Sequence, residues 1–178
     1  EDARLSEDVK EVYMDALSDC ARKHWNAWAK SGKATKALDK TPYTDDIEKE
    51  VFAKVIEEGF DTTFHEIWAR LLNMRRVGSI LVGVPRRNVV RWPEEQTEVI
   101  NQVWEESGTR ESPDSLPYSR DFERLYKRAN ARYKMSRNEF QCCLISARKK
   151  GDKEDPDKRV FKLPKSKKSP ENYSDTSY

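Results

Sequence analysis

Apolar residues at Val9, Val12, Tyr13, Ala16, Leu17, Cys20, His24 and Trp28 recur at a helical period, and Gly32 supplies a C-cap, so a first helix is predicted to end there. A Lys-rich connection leads to Pro42. Thr44 then caps a second helix whose first turn carries Asp45, Asp46 and Glu48 and whose apolar stripe is Val51, Phe52, Val55 and Ile56, with Gly59 as its stop. Thr63-Phe64-His65-Glu66 reads as a capping box opening a third helix that runs to about Arg76, with Gly78 behind it. Ser79-Ile80-Leu81-Val82-Gly83-Val84 reads as a short β segment.

The same pattern returns about seventy-five residues later. Trp28-Ala29-Lys30-Ser31-Gly32 becomes Trp104-Glu105-Glu106-Ser107-Gly108, and Pro42-Tyr43-Thr44-Asp45-Asp46 becomes Pro117-Tyr118-Ser119-Arg120-Asp121. Thr63, Glu66, Leu71 and Arg75 return as Ser136, Glu139, Leu144 and Arg148. The second copy predicts helices over 93–106, 119–133 and 137–150, with Gly151 as a stop and Arg159 to Leu163 as a second extended segment beyond a polar insertion. The domain reading is therefore a first unit over 1–90, a second over 91–164, and a disordered basic and polar tail over 165–178. Units this small bury thin cores and rely on aromatic side chains.

Three helices, a short turn between the second and third, and an extended segment afterwards resemble the winged helix-turn-helix superfamily, over about residues 6–88 and 91–165. Trp92-Pro93-Glu94-Glu95 also resembles the opening of a Myb-like repeat, without the later tryptophan spacing of such repeats. The expected fold class is mainly α with short β wings, built as two tandem winged helix-turn-helix units. Members of the superfamily bind DNA and also serve as protein-protein modules, so fold alone leaves the ligand open.

Charge sharpens the choice. The net charge is only +2, but residues 1–61 hold fifteen acids against ten bases, whereas residues 67–93 hold six arginines and no acid. Residues 92–123 hold nine acids against two arginines, and residues 124–150 hold nine bases against Glu139 alone. Basic blocks thus coincide with both third helices. On a helical wheel, His65, Glu66, Ala69, Arg70, Asn73 and Arg76 share the outer side of the first, and Asn138, Glu139, Cys142, Cys143, Ser146 and Lys149 that of the second.

Duplex DNA is accordingly the expected partner. Its candidate contacts are His65, Arg70, Asn73 and Arg76 on the first third helix, Arg86 and Arg87 beside the first wing, Arg137, Asn138, Ser146, Lys149 and Lys150 on the second third helix, and Lys165, Lys167 and Lys168 in the tail. Arg75 and Arg148 fall on the apolar side and are expected to be structural. The second expectation is an adaptor that binds a protein through the acidic first and second helices or the Cys142/Cys143 face. A first residue other than Met suggests a trimmed chain or a fragment of something longer, and the expected role is that of a DNA-binding protein or the DNA-binding subunit of a larger complex.

No catalysis and no cofactor are expected. The two histidines lie near no nucleophile in a recognisable arrangement, and the six glycines form no phosphate loop. Cys20 and His24 stand at i, i+4, but both fall on the apolar stripe, so packing is expected rather than metal, and adjacent Cys142-Cys143 is not knuckle spacing. Three unpaired cysteines and no membrane-length apolar run place the chain inside a cell, nuclear in a eukaryote or cytoplasmic in a bacterium, with no membrane partner.

Overall fold

The computed structural model describes residues 7–33, 37–81, 90–109 and 111–154, the side chains from 149 onward excepted. Each unit is a long helix, a 3-10 turn and two further helices. In the first, α1 covers Glu7–Lys30, a 3-10 turn covers Leu38–Lys40, α2 is a continuous run of Asp45–Ile47, Glu48–Phe52 and Ala53–Glu57, and α3 covers Phe64–Arg76. In the second, α4 is Glu94–Ser107, the 3-10 turn Pro113–Ser115, α5 Arg120–Arg132 and α6 Arg137–Glu154. The middle of α2 is wound as a π-helix. Tyr43 and Tyr118 are 75 apart but Thr63 and Ser136 only 73, so the first unit carries two extra residues, and a π-turn is how a helix absorbs one of them.

The repeat extends to individual hydrogen bonds. Ser31 and Ser107 each donate a hydroxyl to the tryptophan carbonyl three residues back, at 2.6 Å, and Gly32 and Gly108 both turn the chain with positive φ. Thr63 Oγ1 and Ser136 Oγ accept from the backbone N–H of Glu66 and Glu139, at 3.2 and 3.1 Å. The capping box of α3 is only half made, because the Glu66 carboxylate accepts from Thr62 Oγ1 instead of from the cap backbone.

The β wings are a correction: the described residues are helical and contain no strand. Ser79, Ile80 and Leu81 do not seek a partner strand. Ile80 closes the first core, Leu81 N–H donates to Asn26 Oδ1 at 3.0 Å, and Leu81 carbonyl accepts from Trp25 Nε1 at 2.8 Å. Side chains of α1 thus satisfy the backbone groups that a hairpin would have paired. The rest of that segment and the second predicted wing lie outside the described residues. In place of a stop at Gly151, α6 runs on to Glu154.

Two cores form, and each borrows a tyrosine from the other unit. Trp25, Trp28, Phe52, Ile67, Trp68 and Leu71 anchor the first, with Tyr118 packed against it; Ile100, Val103, Phe122, Leu125, Phe140 and Leu144 anchor the second, with Tyr43 against it. Tyr43 N–H donates to Tyr118 Oη and Tyr118 N–H donates to Tyr43 Oη, both at 2.6 Å, with ring centroids 4.4 Å apart. Both tyrosines have positive φ, 61° and 66°. That conformation costs a non-glycine residue about 1–2 kcal/mol, and the reciprocal bonds and ring contacts hold it.

Candidate nucleic-acid interface

The N-terminal half of each third helix docks on the other unit. His65 Nδ1 donates to the Pro117 carbonyl at 3.0 Å, which assigns the proton to that nitrogen, and Trp68 Nε1 donates to the Asp114 carbonyl at 2.8 Å. In the mirrored contact, Asn138 Nδ2 donates to the carbonyls of Pro42 and Lys40, at 2.8 and 3.0 Å. His65 and Asn138, expected on an open reading face, therefore serve the junction. Sequence comparison misses this because a histidine and an asparagine perform the same task, capturing a proline carbonyl.

The remaining sequence-predicted residues are scattered. Asn73 and Arg76 are exposed on α3, beside Glu66 and Ala69, and Ser146 is exposed on α6. Arg70 is half-buried, with Nε enclosed and without a hydrogen-bond partner. Arg137 is drawn into a two-toothed pair with Glu123, at 2.8 and 3.1 Å, with its guanidinium 4.8 Å from the Tyr126 ring centre; the hydrogen bond from Arg137 holds the Glu123 carboxyl below its ordinary range. Lys149 and Lys150 lie within α6, and their side chains are outside the described set, as are Arg86, Arg87, Lys165, Lys167 and Lys168 altogether. Cys143 points inward, 1% exposed in the second core, and Cys142 lies 4.0 Å from the Lys40 carbonyl at the junction, so the two thiols make no outward face. Arg75 reaches Asp114 of the other unit at 3.9 Å, and Arg148 lies 5.1 Å over the Trp104 ring.

What the fold does assemble is a cationic face on α5. Phe122, Leu125 and Ala129 are buried, so the opposite side presents Arg120, Arg124, Lys127 and Arg128, all exposed, with Lys134 exposed just beyond. The spacing i, i+4, i+7, i+8 is one helical stripe. It extends about 12 Å, at 1.5 Å per residue, a length over which duplex DNA carries about seven phosphate charges. Arg124 is 3.3 Å from Asp121, but both side chains are well exposed, and such a pair is worth at most about 1 kcal/mol. Arg132, on the flank, is instead committed to Glu106 through two bonds, at 3.3 and 3.0 Å. Arg124, Lys127 and Arg128 stand in the basic block of residues 124–150, with Arg120 one turn ahead of it in the preceding acidic block, and their i, i+4, i+7, i+8 spacing is the sequence signal that singles them out.

Among the described residues one group could hold a metal: Cys20, His24 and Glu58, whose donor atoms all lie within 4.8 Å of one another. Burial and the hydrogen bond to Glu58 push the Cys20 thiol up to about 12, while the bonds from Cys20 and Lys23 hold the Glu58 carboxyl down to about 2. No described helix is long and apolar enough to cross a membrane. Comparison with protein-family models, with curated proteins and with solved structures gives no match.

Proposed function

We propose that this protein binds duplex DNA through its second unit, with the α5 stripe lying along the phosphate backbone. The observation that carries this reading is the row of exposed cations on α5: Arg120, Lys127 and Arg128 make no close ion pair among the described residues, although Lys127 and Arg128 lie in the field of Glu123 and Glu106, and Arg124 is only loosely paired. The engagement of His65 and Asn138 at the junction argues against deep base reading by the third helices. Binding is therefore dominated by phosphate contacts, strongly dependent on salt and weakly dependent on sequence. Asn73 and Arg76 on α3 add a secondary contact.

The test is fluorescence anisotropy of the full chain with random duplex DNA at low salt, with an Arg120→Gln, Arg124→Gln, Lys127→Gln, Arg128→Gln variant alongside. The expected result is a loss of affinity of about tenfold or more; equal affinity would remove α5 from the interface.

A protein-adaptor reading has its own support. The stretch Glu7–Ala16 of α1 contains no buried residue, and Val9 and Val12 are 48% and 69% exposed among Glu7, Asp8, Glu11 and Asp15. An apolar strip with an acidic border suits a basic amphipathic partner segment. Salt separates the two: complexes that persist at high salt and are lost in Val12→Asp belong to this strip.

A further inference from the structure

The first unit holds a polar cluster at the edge of its core, to which Cys20 belongs, that the α5 stripe does not use. Cys20 and His24 sit one turn apart on α1, and Glu58 follows the last turn of α2. Cys20 Sγ donates to Glu58 Oε2, and Lys23 Nζ donates to the other carboxylate oxygen, Oε1, at 2.8 Å. His24 Nε2 is enclosed and lies 3.3 Å from Glu58 Oε2, a close polar contact without the alignment of a full hydrogen bond. An enclosed ring nitrogen whose nearest polar partner is a poorly aligned carboxylate, with a thiol in the same cluster, is a costly arrangement for packing alone.

The second unit shows what packing alone looks like at this place. The residues equivalent to Cys20 and His24, seventy-six positions on, are Gln96 and Ile100. Gln96 donates to Met135 Sδ at 3.7 Å, and Ile100 is fully buried. The scaffold therefore closes at this position without a thiol, an imidazole or a carboxylate. The π-turn in α2 is likewise found in the first unit, separated from Glu58 by the α-helical residues Ala53–Glu57.

We propose that Cys20, His24 and Glu58 form a binding site for a divalent cation of the zinc class. Sulfur, imidazole nitrogen and one carboxylate oxygen are the donors zinc prefers, and a thiolate disfavours magnesium and calcium. Zinc bonds of about 2.0–2.3 Å place tetrahedral ligand atoms about 3.5 Å apart, within the 4.8 Å spread of these three. On binding, Cys20 gives its proton to solvent and exchanges its bond to Glu58 for a bond to the cation. Glu58 Oε2 and neutral His24 Nε2 supply the second and third bonds, and Lys23 on Oε1 orients the carboxylate. Thiolate and carboxylate together balance the two positive charges. The Glu58 side chain is 37% exposed, so the fourth position faces water.

Cobalt(II) titration of the full, reduced chain tests the site, because a thiolate ligand adds a charge-transfer band in the near ultraviolet and tetrahedral geometry strengthens the visible bands. The expected result is one cobalt per chain with both features, displaced by zinc. They disappear in Cys20→Ser, checked for folding by circular dichroism, and persist in Cys142→Ser/Cys143→Ser. His24→Gln weakens binding at least tenfold. Absence of the charge-transfer band in folded wild-type protein overturns the proposal, and so does a band that survives Cys20→Ser.

Discussion

Helices α2 and α5 occupy equivalent places in two copies of one unit, yet their surfaces have opposite charge. Residues 45–58 carry six acids against two lysines, whereas residues 120–133 carry five cations against two acids. At the junction the copies instead agree almost atom for atom: Tyr43 and Tyr118 exchange identical hydrogen bonds from the same left-handed backbone. The difference separates what holds the pair of units together from what each unit is free to present. The identical tyrosines mark a shared mechanical task, which His65 and Asn138 also serve with different side chains, and function is to be sought where the exposed surfaces of the copies part.

Breaking the matched part has the largest effect. Tyr118→Ala removes a partly buried ring that packs against Tyr43, Phe52 and Phe64, and the expected destabilisation is about 3 kcal/mol in urea denaturation, the lower end of the range for deleting an aromatic core side chain. A loss below 1 kcal/mol would mean that the junction is not structural. Tyr43→Phe and Tyr118→Phe keep the rings but each leaves a backbone N–H without its acceptor, costing about 1–3 kcal/mol. Because the two bonds share one pair of rings, a double-mutant cycle should show coupling rather than additivity.

Alkaline pH attacks the same place. Burial raises both tyrosine hydroxyls above their ordinary value, despite the partner's N–H pulling the other way. A raised folded-state value means that the stability is fully present below the unfolded value of about 10 and is lost as pH rises towards the folded value. Phenolate absorbance followed together with circular dichroism should show that the last tyrosines ionise only with loss of helix. Ionisation of all seven near pH ~10 with the helices intact would contradict this. Altering the unmatched part has the smallest effect on stability: the four-residue α5 variant should stay within about 0.5 kcal/mol of wild type, while its DNA affinity falls.

Much of the helical frame is legible in the sequence because caps and stops are local. Thr63, Ser119 and Ser136 each accept a backbone N–H at the start of a helix, and Gly32, Gly59, Gly78 and Gly108 adopt the positive φ that ends one. Ile80 and Leu81 misled because a short apolar run has the same look whether it pairs with a strand or leans on a helix, and the deciding partners, Trp25 and Asn26, lie more than fifty residues away. The junction was hidden for a related reason. Pro42-Tyr43 and Pro117-Tyr118 are visible as a repeat, but that each serves the other unit follows only from tertiary structure. His65 and Asn138 therefore looked like solvent-facing readers. Glu58 completes a cluster with Cys20 and His24 for the same reason, by tertiary approach of α2 to α1.

The most direct measurement is the salt dependence of DNA affinity for three full-length chains: wild type, the α5 Arg120/Arg124/Lys127/Arg128→Gln variant, and an Asn73→Ala/Arg76→Ala variant of α3. Each phosphate contact contributes about 0.9 to the slope of log affinity against log salt. The predicted result is a steep wild-type slope that falls by about 3 or more in the α5 variant and by less than about 1 in the α3 variant. No binding at low salt, or a slope that survives in the α5 variant and collapses in the α3 variant, would contradict the assignment of the interface to the second unit.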